Sequence, residues 1–220
     1  MEPINRRLSR RLTPLLMSLR LTPNQVTLFG CWAGLMASWC FLQGTPRAWL
    51  FGAAWFQLAY LLDNCDGEIA RITGKSSGFG SWLDTVTDCV IHVGFFTGLG
   101  IGVYRYTAQI LWLKLGLIAS TGVFLSYIAF LGEQFMTRGK EALRHPDPPA
   151  AHSPTTVSSK LRKIFREDFS FIVMASALVQ QMSWLLWSGI VGSFLIGFYG
   201  VFSIVFRGYR LLATGYSRNQ

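Results

Sequence analysis

Charged side chains are scarce in this 220-residue chain. Asp, Glu, Lys and Arg together make up 14% of it, against about a quarter in soluble globular proteins. Hydrophobic residues reach 51%, and the mean hydropathy is +0.35. This composition excludes an ordinary soluble domain and predicts an integral membrane protein with a single membrane domain.

Cysteine and histidine are too few and too scattered to form a disulfide framework or a zinc site. The four cysteines, all in or beside apolar segments, are Cys31, Cys40, Cys65 and Cys89. We interpret them as small buried residues in a reducing setting. His145 and His152 lie in a proline-rich stretch with no acid or cysteine at metal spacing, so solvation explains them. His92 fits a buried, hydrogen-bonded histidine or a partner of the nearby Asp88.

Acidic residues are also few: 11, against 20 Lys and Arg, for a net charge of +9. The basic residues cluster between apolar segments instead of covering one soluble face. This placement favours anionic lipid headgroups and phosphorylated substrates over nucleic acid as partners. We expect no cleavable signal peptide, because no uninterrupted apolar core precedes residue 25.

The apolar runs predict an all-α, polytopic fold with six transmembrane helices. Their lengths suit a bilayer core, and their approximate bounds are 25–43, 48–72, 79–104, 108–132, 169–187 and 189–213. The last two are separated by a predicted turn at Ser188–Gly189, and Gln180, Gln181 and Ser183 are expected to face the bundle. The predicted domains are a cytoplasmic amphipathic segment, 1–24, a membrane domain, 25–214, with a cytoplasmic loop at 133–168, and a tail, 215–220.

The distribution of positive charge predicts the orientation. With the N-terminus in the cytoplasm, all Lys and Arg lie on the cytoplasmic side except Arg47, Arg105 and Lys114. This bias supports six spans with both termini inside, in the cytoplasmic membrane if the source is bacterial.

The first segment, 4–20, alternates leucines with arginines, which is typical of an amphipathic helix lying on the cytoplasmic leaflet and bent at Pro14. A basic tail ordered only by packing on other helices is the alternative. Thr22 or Asn24 is expected to cap the next helix, with Pro23 in its first turn.

Two pairs of aspartates stand out, one in the second half of the second predicted span and one near the start of the third. Asp63 and Asp66 are spaced i, i+3, and Asp84 and Asp88 are spaced i, i+4, so each pair shares one helix face. A Gly/Ser connection between the pairs would let the two helices meet as a hairpin. Facing carboxylates repel unless a cation lies between them, and hard oxygen ligands suit Mg²⁺ or Mn²⁺. The pattern therefore indicates a metal site that holds phosphates; helix capping and surface ion pairing are the alternative for any single aspartate.

The spacing resembles the signature of the CDP-alcohol phosphotransferase family, D-x2-D-G-x2-A-R-x8-G-x3-D-x3-D. All eight fixed positions match, at Asp63, Asp66, Gly67, Ala70, Arg71, Gly80, Asp84 and Asp88. The resemblance implies an enzyme in which an acceptor hydroxyl attacks the β-phosphorus of a CDP-linked alcohol and CMP leaves, with two Mg²⁺ or Mn²⁺ ions on the pyrophosphate. It also implies a homodimer.

The resemblance assigns roles to individual residues. Asp63, Asp66 and Asp84 would bind one ion, and Asp66, Asp84 and Asp88 the other, with Asp88 also the catalytic general base. The CDP moiety would be bound by Gly67, Ala70, Arg71, Ser77 and Gly80. The TPNQVT segment is similar to one that lines the nucleotide pocket in family members, which makes Asn24 and Thr27 further candidates. Lys160 and Arg207 could bind a phosphate on the acceptor, or could serve topology and lipid contact alone.

The resemblance leaves the substrates open. The donor could be CDP-diacylglycerol, CDP-inositol or a CDP-amino-alcohol, and the opening segment together with DNCDGEIAR resembles the branch that uses CDP-inositol. From another class of function, a membrane cation transporter would also place acids in a membrane protein. Two observations argue against transport. The acids lie at the cytoplasmic edge beside an arginine and a Gly/Ser connection, and the sequence has no evident inverted repeat.

Overall fold

The computed structural model describes the backbone of residues 4–144 and 169–192, and the side chains of 4–132 and 169–192. All regular secondary structure in this part of the chain is α-helical, which confirms the predicted all-α class there. The helices are α1 (Ile4–Ser18), α2 (Pro23–Leu42), α3 (Pro46–Ile72), α4 (Gly78–Thr107), α5 (Ile110–Arg144), α6 (Phe169–Leu178) and α7 (Ser183–Gly192).

Three of these helices begin at a hydroxyl residue that caps the first turn. Thr22 caps α2 in a reciprocal capping box with Gln25, so that Thr22 and not Asn24 is the cap. Thr45 caps α3 and Ser77 caps α4. A proline follows the cap of α2 and of α3, where its missing N–H costs no helical hydrogen bond.

Three described helices are long and apolar enough to cross a membrane: Pro23–Leu42, Gly78–Thr107 and Ile110–Gly132. They correspond to the predicted spans 25–43, 79–104 and 108–132. The predicted span 48–72 is the 27-residue α3, whose second half carries the acids. Most of the predicted span 189–213 lies outside the described residues, so the count of six spans stays a prediction.

The turn predicted at Ser188–Gly189 is wrong. Both residues lie inside α7, and the chain turns instead at Val179–Met182, where Gln180 has φ 59°. A Cβ on Gly189 would overlap the ring of Phe96. The glycine therefore permits close packing within a helix and does not mark a turn.

The predicted inward orientation of the polar residues near this turn is wrong for two of the three. Gln180 and Gln181 are exposed, because they belong to the turn and not to a helix face, while Ser183 is half-buried at the start of α7.

The predicted loop 133–168 is also too long. α5 continues to Arg144, since the first proline after the span comes only at Pro146 and an isolated glycine inside a helix is tolerated. The rest of that predicted loop, 145–168, lies outside the described residues.

The second helix forms the centre of the arrangement. α2 packs against both α3 and α4, α4 packs against α5, and α1 packs against α3. The backbones of α3 and α4 approach each other less closely than either approaches α2. The expected hairpin of the two motif helices is therefore an open one that meets through side chains, such as the stacked rings of Phe56 and Phe95.

The polar face of α1 is the one that packs on the protein. Asn5, Ser9 and Thr13, one turn apart, are buried, whereas Ile4 and Leu15 are more than half exposed. A helix that turns its apolar side chains outward is suited to an apolar neighbour. This agrees with the predicted interfacial helix, which stays a prediction.

Candidate functional site

Three of the four motif aspartates converge between α3 and α4. Asp63, Asp66 and Asp84 each place one carboxylate oxygen so that all three oxygens lie within 4.8 Å of one another. Asp66 is buried, and the other two are half-buried. Asp88 lies outside this group of three but lines the same pocket as Asp63 and Asp66.

This donor set fits a hard divalent cation. Two opposite oxygen ligands of Mg²⁺ are about 4.2 Å apart, so small side-chain movements bring the three oxygens onto one ion. Placing three carboxylates this close is unfavourable without a positive charge between them. In addition, the Thr27 hydroxyl donates a hydrogen bond of 2.5 Å to Asp66. Such an outer partner fixes the orientation of a metal-binding carboxylate.

Thr27 thus reaches the site from a third helix. The threonine lies one turn into α2, where its hydroxyl also contacts the carbonyl oxygen of Pro23. The sequence singled it out only by its similar segment. In the structure its geometry is that of a residue supporting a metal ligand.

Gly67 and Arg71 form one surface on α3. A Cβ at Gly67 would lie 3.2 Å from Nη1 of Arg71. The arginine therefore folds back over the glycine, which lies one turn away and next to Asp66 in the sequence. Any larger residue at position 67 would displace this group, so the pairing of a glycine with an arginine four residues later has a steric reason.

The connection between the two halves brings other predicted residues together. Ser77 accepts a hydrogen bond of 3.0 Å from the backbone N–H of Gly80. A Cβ at Gly80 would lie 3.2 Å from Oδ1 of Asn24. Asn24, Ser77 and Gly80 are therefore neighbours at the start of α4. Ala70 is half-buried on α3, one residue before Arg71, whereas Lys160 and Arg207 lie outside the described residues.

One acid within the motif was missed by the sequence analysis. Glu68 accepts a hydrogen bond of 2.7 Å from Ser9 at one carboxylate oxygen and another of 2.7 Å from Thr13 at the other. These bonds tie α1 to the helix that carries Asp63 and Asp66. The spacing of Ser9 and Thr13, four residues apart on one helix face, is a signal that could have pointed to such a contact.

His92 was left between two explanations, and the structure supports parts of both. Its Nδ1 lies 2.7 Å from the backbone carbonyl oxygen of Asp88, and its Nε2 lies 3.1 Å from the hydroxyl of Tyr60. It is thus hydrogen-bonded, and it also lines the pocket that contains Asp88.

The four cysteines are all free. Cys65 is buried, with Sγ 3.7 Å from the carbonyl oxygen of Ser9, and the other three are half-buried. The predicted burial is therefore confirmed for Cys65 and is only partial for Cys31, Cys40 and Cys89.

Comparison with known proteins places this geometry in context. The model of the CDP-alcohol phosphatidyltransferase family matches residues 20–195. The bifunctional IPC transferase and DIPP synthase of Thermococcus kodakarensis is 31% identical over 125 residues, which are 56% of this chain and 27% of that protein. The phosphatidylinositol phosphate synthase of Cutibacterium acnes is 31% identical over 128 residues, 57% of this chain and 60% of that protein. The chain thus covers less than two thirds of either relative.

Solved structures show a related fold. The phosphatidylinositol phosphate synthase of Mycobacterium tuberculosis with CDP-DAG bound has a TM-score of 0.59 at 21% identity, and the match covers 89% of this chain and 92% of that one. The same protein in complex with manganese and citrate gives a TM-score of 0.55 at 22% identity over 88% of each chain.

Proposed function

Since the chain belongs to the CDP-alcohol phosphatidyltransferase family, we propose that it transfers a substituted phosphate group from a CDP-linked donor to an acceptor alcohol and releases CMP. The observation that carries the proposal is the convergence of Asp63, Asp66 and Asp84, on two helices, to within 4.8 Å. Family membership also supports this reaction over the cation transport that the acids alone would allow.

Metal binding is the first task of the site. Asp63, Asp66 and Asp84 would hold one Mg²⁺ or Mn²⁺, and Asp66, Asp84 and Asp88 a second. Bound there, such ions supply positive charge to a pyrophosphate and stabilise the attacking and leaving oxygens of an in-line displacement. Thr27 keeps the carboxylate of Asp66 turned toward the ligand.

Binding of the nucleotide falls to the rim of the site. Arg71, folded over Gly67, presents a planar guanidinium that can hold two phosphate oxygens. Asn24, Ser77 and Gly80 form the neighbouring edge, and the glycine leaves the backbone accessible there. Ala70 has a small side chain, which leaves room for the nucleotide on the adjacent surface of α3.

Chemistry then requires a base beside the acceptor. Asp88 takes the proton of the acceptor hydroxyl. The acceptor oxygen forms a bond to the β-phosphorus while the bond from that phosphorus to the CMP oxygen breaks. A base that activates the acceptor hydroxyl itself makes a protein nucleophile unnecessary. We therefore propose direct transfer.

The substrates follow from what the relatives do. Two matched proteins are phosphatidylinositol phosphate synthases, one of them solved with CDP-DAG bound. We propose a CDP-diacylglycerol donor and an inositol phosphate acceptor. CDP-inositol is the second donor to test, because another matched protein is an IPC transferase and DIPP synthase. The active site would face the cytoplasm of a six-span protein with both termini inside, working as a homodimer with 1–24 on the leaflet.

The direct test is CMP release by the purified protein in detergent with Mg²⁺. CDP-diacylglycerol, CDP-inositol and CDP-ethanolamine are offered in turn, each with and without inositol phosphate. We expect release from CDP-diacylglycerol that depends on inositol phosphate. Asp84→Ala should lower it by more than the roughly 100-fold typical of losing an outer metal partner. Thr121→Ala, an exposed change on α5, is the control. Full activity in Asp84→Ala would refute the site.

A further inference from the structure

A pair of polar side chains lies one turn deeper than the acids. Tyr60 precedes Asp63 by three residues on α3, and His92 follows Asp88 by four residues on α4. Tyr60 is buried, with 7% of its surface exposed, and both side chains line the pocket that also contains Asp63 and Asp88. The proposed mechanism assigns no task to either.

The hydrogen bonds of this pair have a defined direction in the neutral ring. The backbone carbonyl oxygen of Asp88 can only accept, so Nδ1 of His92, 2.7 Å away, carries the proton. Nε2 is then the acceptor, and the hydroxyl of Tyr60 donates to it over 3.1 Å. Tyr127 of α5 places its hydroxyl 3.3 Å from Nδ1, so a third helix also contacts the ring.

The position of the pair matters because α3 and α4 approach each other less closely than either approaches α2. Their separation near the acids is therefore set by side chains that reach across. Rings pack on both sides of the bridge: Phe56 contacts both Tyr60 and His92, and Phe95 stacks on Phe56. In such apolar surroundings a hydrogen bond is strong, and losing one partner is costly.

We propose that His92 and Tyr60 are positioning residues that hold the turn of α4 carrying Asp88 at a fixed distance from the turn of α3 carrying Asp63. The bridge runs from the hydroxyl of Tyr60 through the imidazole to the carbonyl of Asp88. The imidazole donates a hydrogen bond to the carbonyl oxygen of Asp88 in addition to the backbone hydrogen bonding of the helix. This bond fixes the backbone from which the carboxylate projects. The proposal rests on the proposed function for the role of Asp88 in catalysis, but the geometry it predicts can be measured without turnover.

The first measurement is Mn²⁺ binding to the whole protein in detergent, followed by electron paramagnetic resonance. In Tyr60→Phe and His92→Ala, the ion that uses Asp88 should bind roughly 10-fold to 100-fold more weakly, as with other outer-partner losses. The ion held by Asp63, Asp66 and Asp84 should keep its affinity. Tyr106→Phe, which removes an exposed hydroxyl at the far end of α4, is the matched control.

The second measurement separates the two hydrogen bonds. His92→Asn keeps a donor near the carbonyl of Asp88 but is too short to reach Tyr60. His92→Gln can accept from Tyr60 but places no donor near that carbonyl. Because the bridge needs both hydrogen bonds, we expect neither Asn nor Gln to restore the Mn²⁺ affinity of the wild type. CMP release should show lowered kcat with an almost unchanged KM for the donor.

The outcomes are distinct. The proposal would be overturned if Tyr60→Phe and His92→Ala bound both Mn²⁺ ions as tightly as the wild type and kept its kcat. Equal weakening of both ions with a lower thermal midpoint would overturn it too, because it would show a merely structural role. A wild-type protein that releases no CMP would refute the proposed function alone, and the Mn²⁺ isotherms would still decide the role of His92.

Discussion

At the end of the bundle that carries the acids, neighbouring helices are joined by hydrogen bonds between side chains. Farther along the same helices, glycines bring the backbones into contact, beside a hydrogen bond between Thr97 and Ser120. Thr27 bonds to Asp66, and Tyr60 bonds to His92. Deeper along α4, a Cβ on Gly98 would lie 2.5 Å from the carbonyl oxygen of Ser38 on α2. Gly100 of α4 and Gly116 of α5 approach each other in the same way.

The two kinds of contact leave different amounts of space. The Tyr60–His92 hydrogen bond spans α3 and α4, whose backbones lie farther apart than either lies from α2. The site pocket is lined by Thr27, Tyr60, Asp63, Asp66, Asp88 and His92. Glycine contacts remove the space, so that dispersion between backbones holds the helices together. The comparison suggests that the glycine end stabilises the bundle and the polar end shapes the site. Changes at the two ends should therefore affect different measurements.

Among changes that compare the two ends without removing an aspartate, the largest effect is expected at the polar end, from Thr27→Val. Valine has nearly the shape of threonine but cannot donate to Asp66. Metal affinity and CMP release should fall by roughly 10-fold to 100-fold, as is typical for loss of an outer hydrogen bond to a metal ligand. The thermal midpoint should change little. Mn²⁺ titration, kinetics and thermal unfolding of one preparation test this.

Thr27→Ser is the matched control for this change. Serine keeps the hydroxyl and should retain most of the metal affinity. Equal losses in the valine and serine variants would show that the site depends on the packing of the whole side chain and not on the hydrogen bond in particular, and the comparison between the two ends would fail at this position.

The next effect is expected at the glycine end, from Gly98→Ala. The added methyl group would press on a backbone oxygen that cannot rotate away, and overpacking of this kind costs about 1–3 kcal/mol. The thermal midpoint should fall while the Mn²⁺ affinity of the folded protein stays unchanged. Thermal unfolding in detergent, with and without Mn²⁺, measures both.

Gly132→Ala provides the control, since no atom lies within 4 Å of a Cβ there. In a helix interior alanine is favoured over glycine by roughly 0.5–1 kcal/mol, so this variant should be slightly stabilised. A Gly98→Ala variant as stable as Gly132→Ala would contradict the assignment of stability to the glycine contacts.

Much of the acidic site could be predicted from the sequence because its geometry is local. Spacings of three and four residues place Asp63 and Asp66 on one face and Asp84 and Asp88 on another, whatever the rest of the fold does. The caps at Thr22 and Ser77 follow from equally local rules. Predictions were less complete for residues that act on the site from distant segments. Thr27 was singled out without Asp66, His92 was singled out without Tyr60, and Glu68 was missed, because no local pattern states which helix will face them.

The end of the described chain shows the opposite failure. A serine and a glycine at Ser188–Gly189 are a common turn signal, but packing of Gly189 against Phe96 keeps them helical. The turn falls at Gln180, a residue with positive φ and no glycine. A local rule does not include the packing of Gly189 against Phe96, so the serine and glycine misled the prediction of the turn.

The smallest effect should come from α1, and it tests whether this helix belongs to the polar end. Ser9→Ala removes one of the two hydroxyls on Glu68, at a cost of about 1 kcal/mol. Because α1 carries Arg6, Arg7, Arg10 and Arg11, detachment can be followed by limited trypsin digestion, and cleavage there should accelerate about fivefold. Ser18→Ala, an exposed hydroxyl bonded within its own helix, is the control.

A second measurement tests whether α1 supports the acids through Glu68. If it does, Mn²⁺ affinity should fall across Ser9→Ala, Thr13→Val and the double variant in the same order in which trypsin cleavage accelerates. Faster cleavage with unchanged Mn²⁺ affinity would separate α1 from the site and restrict the polar end to α2, α3 and α4.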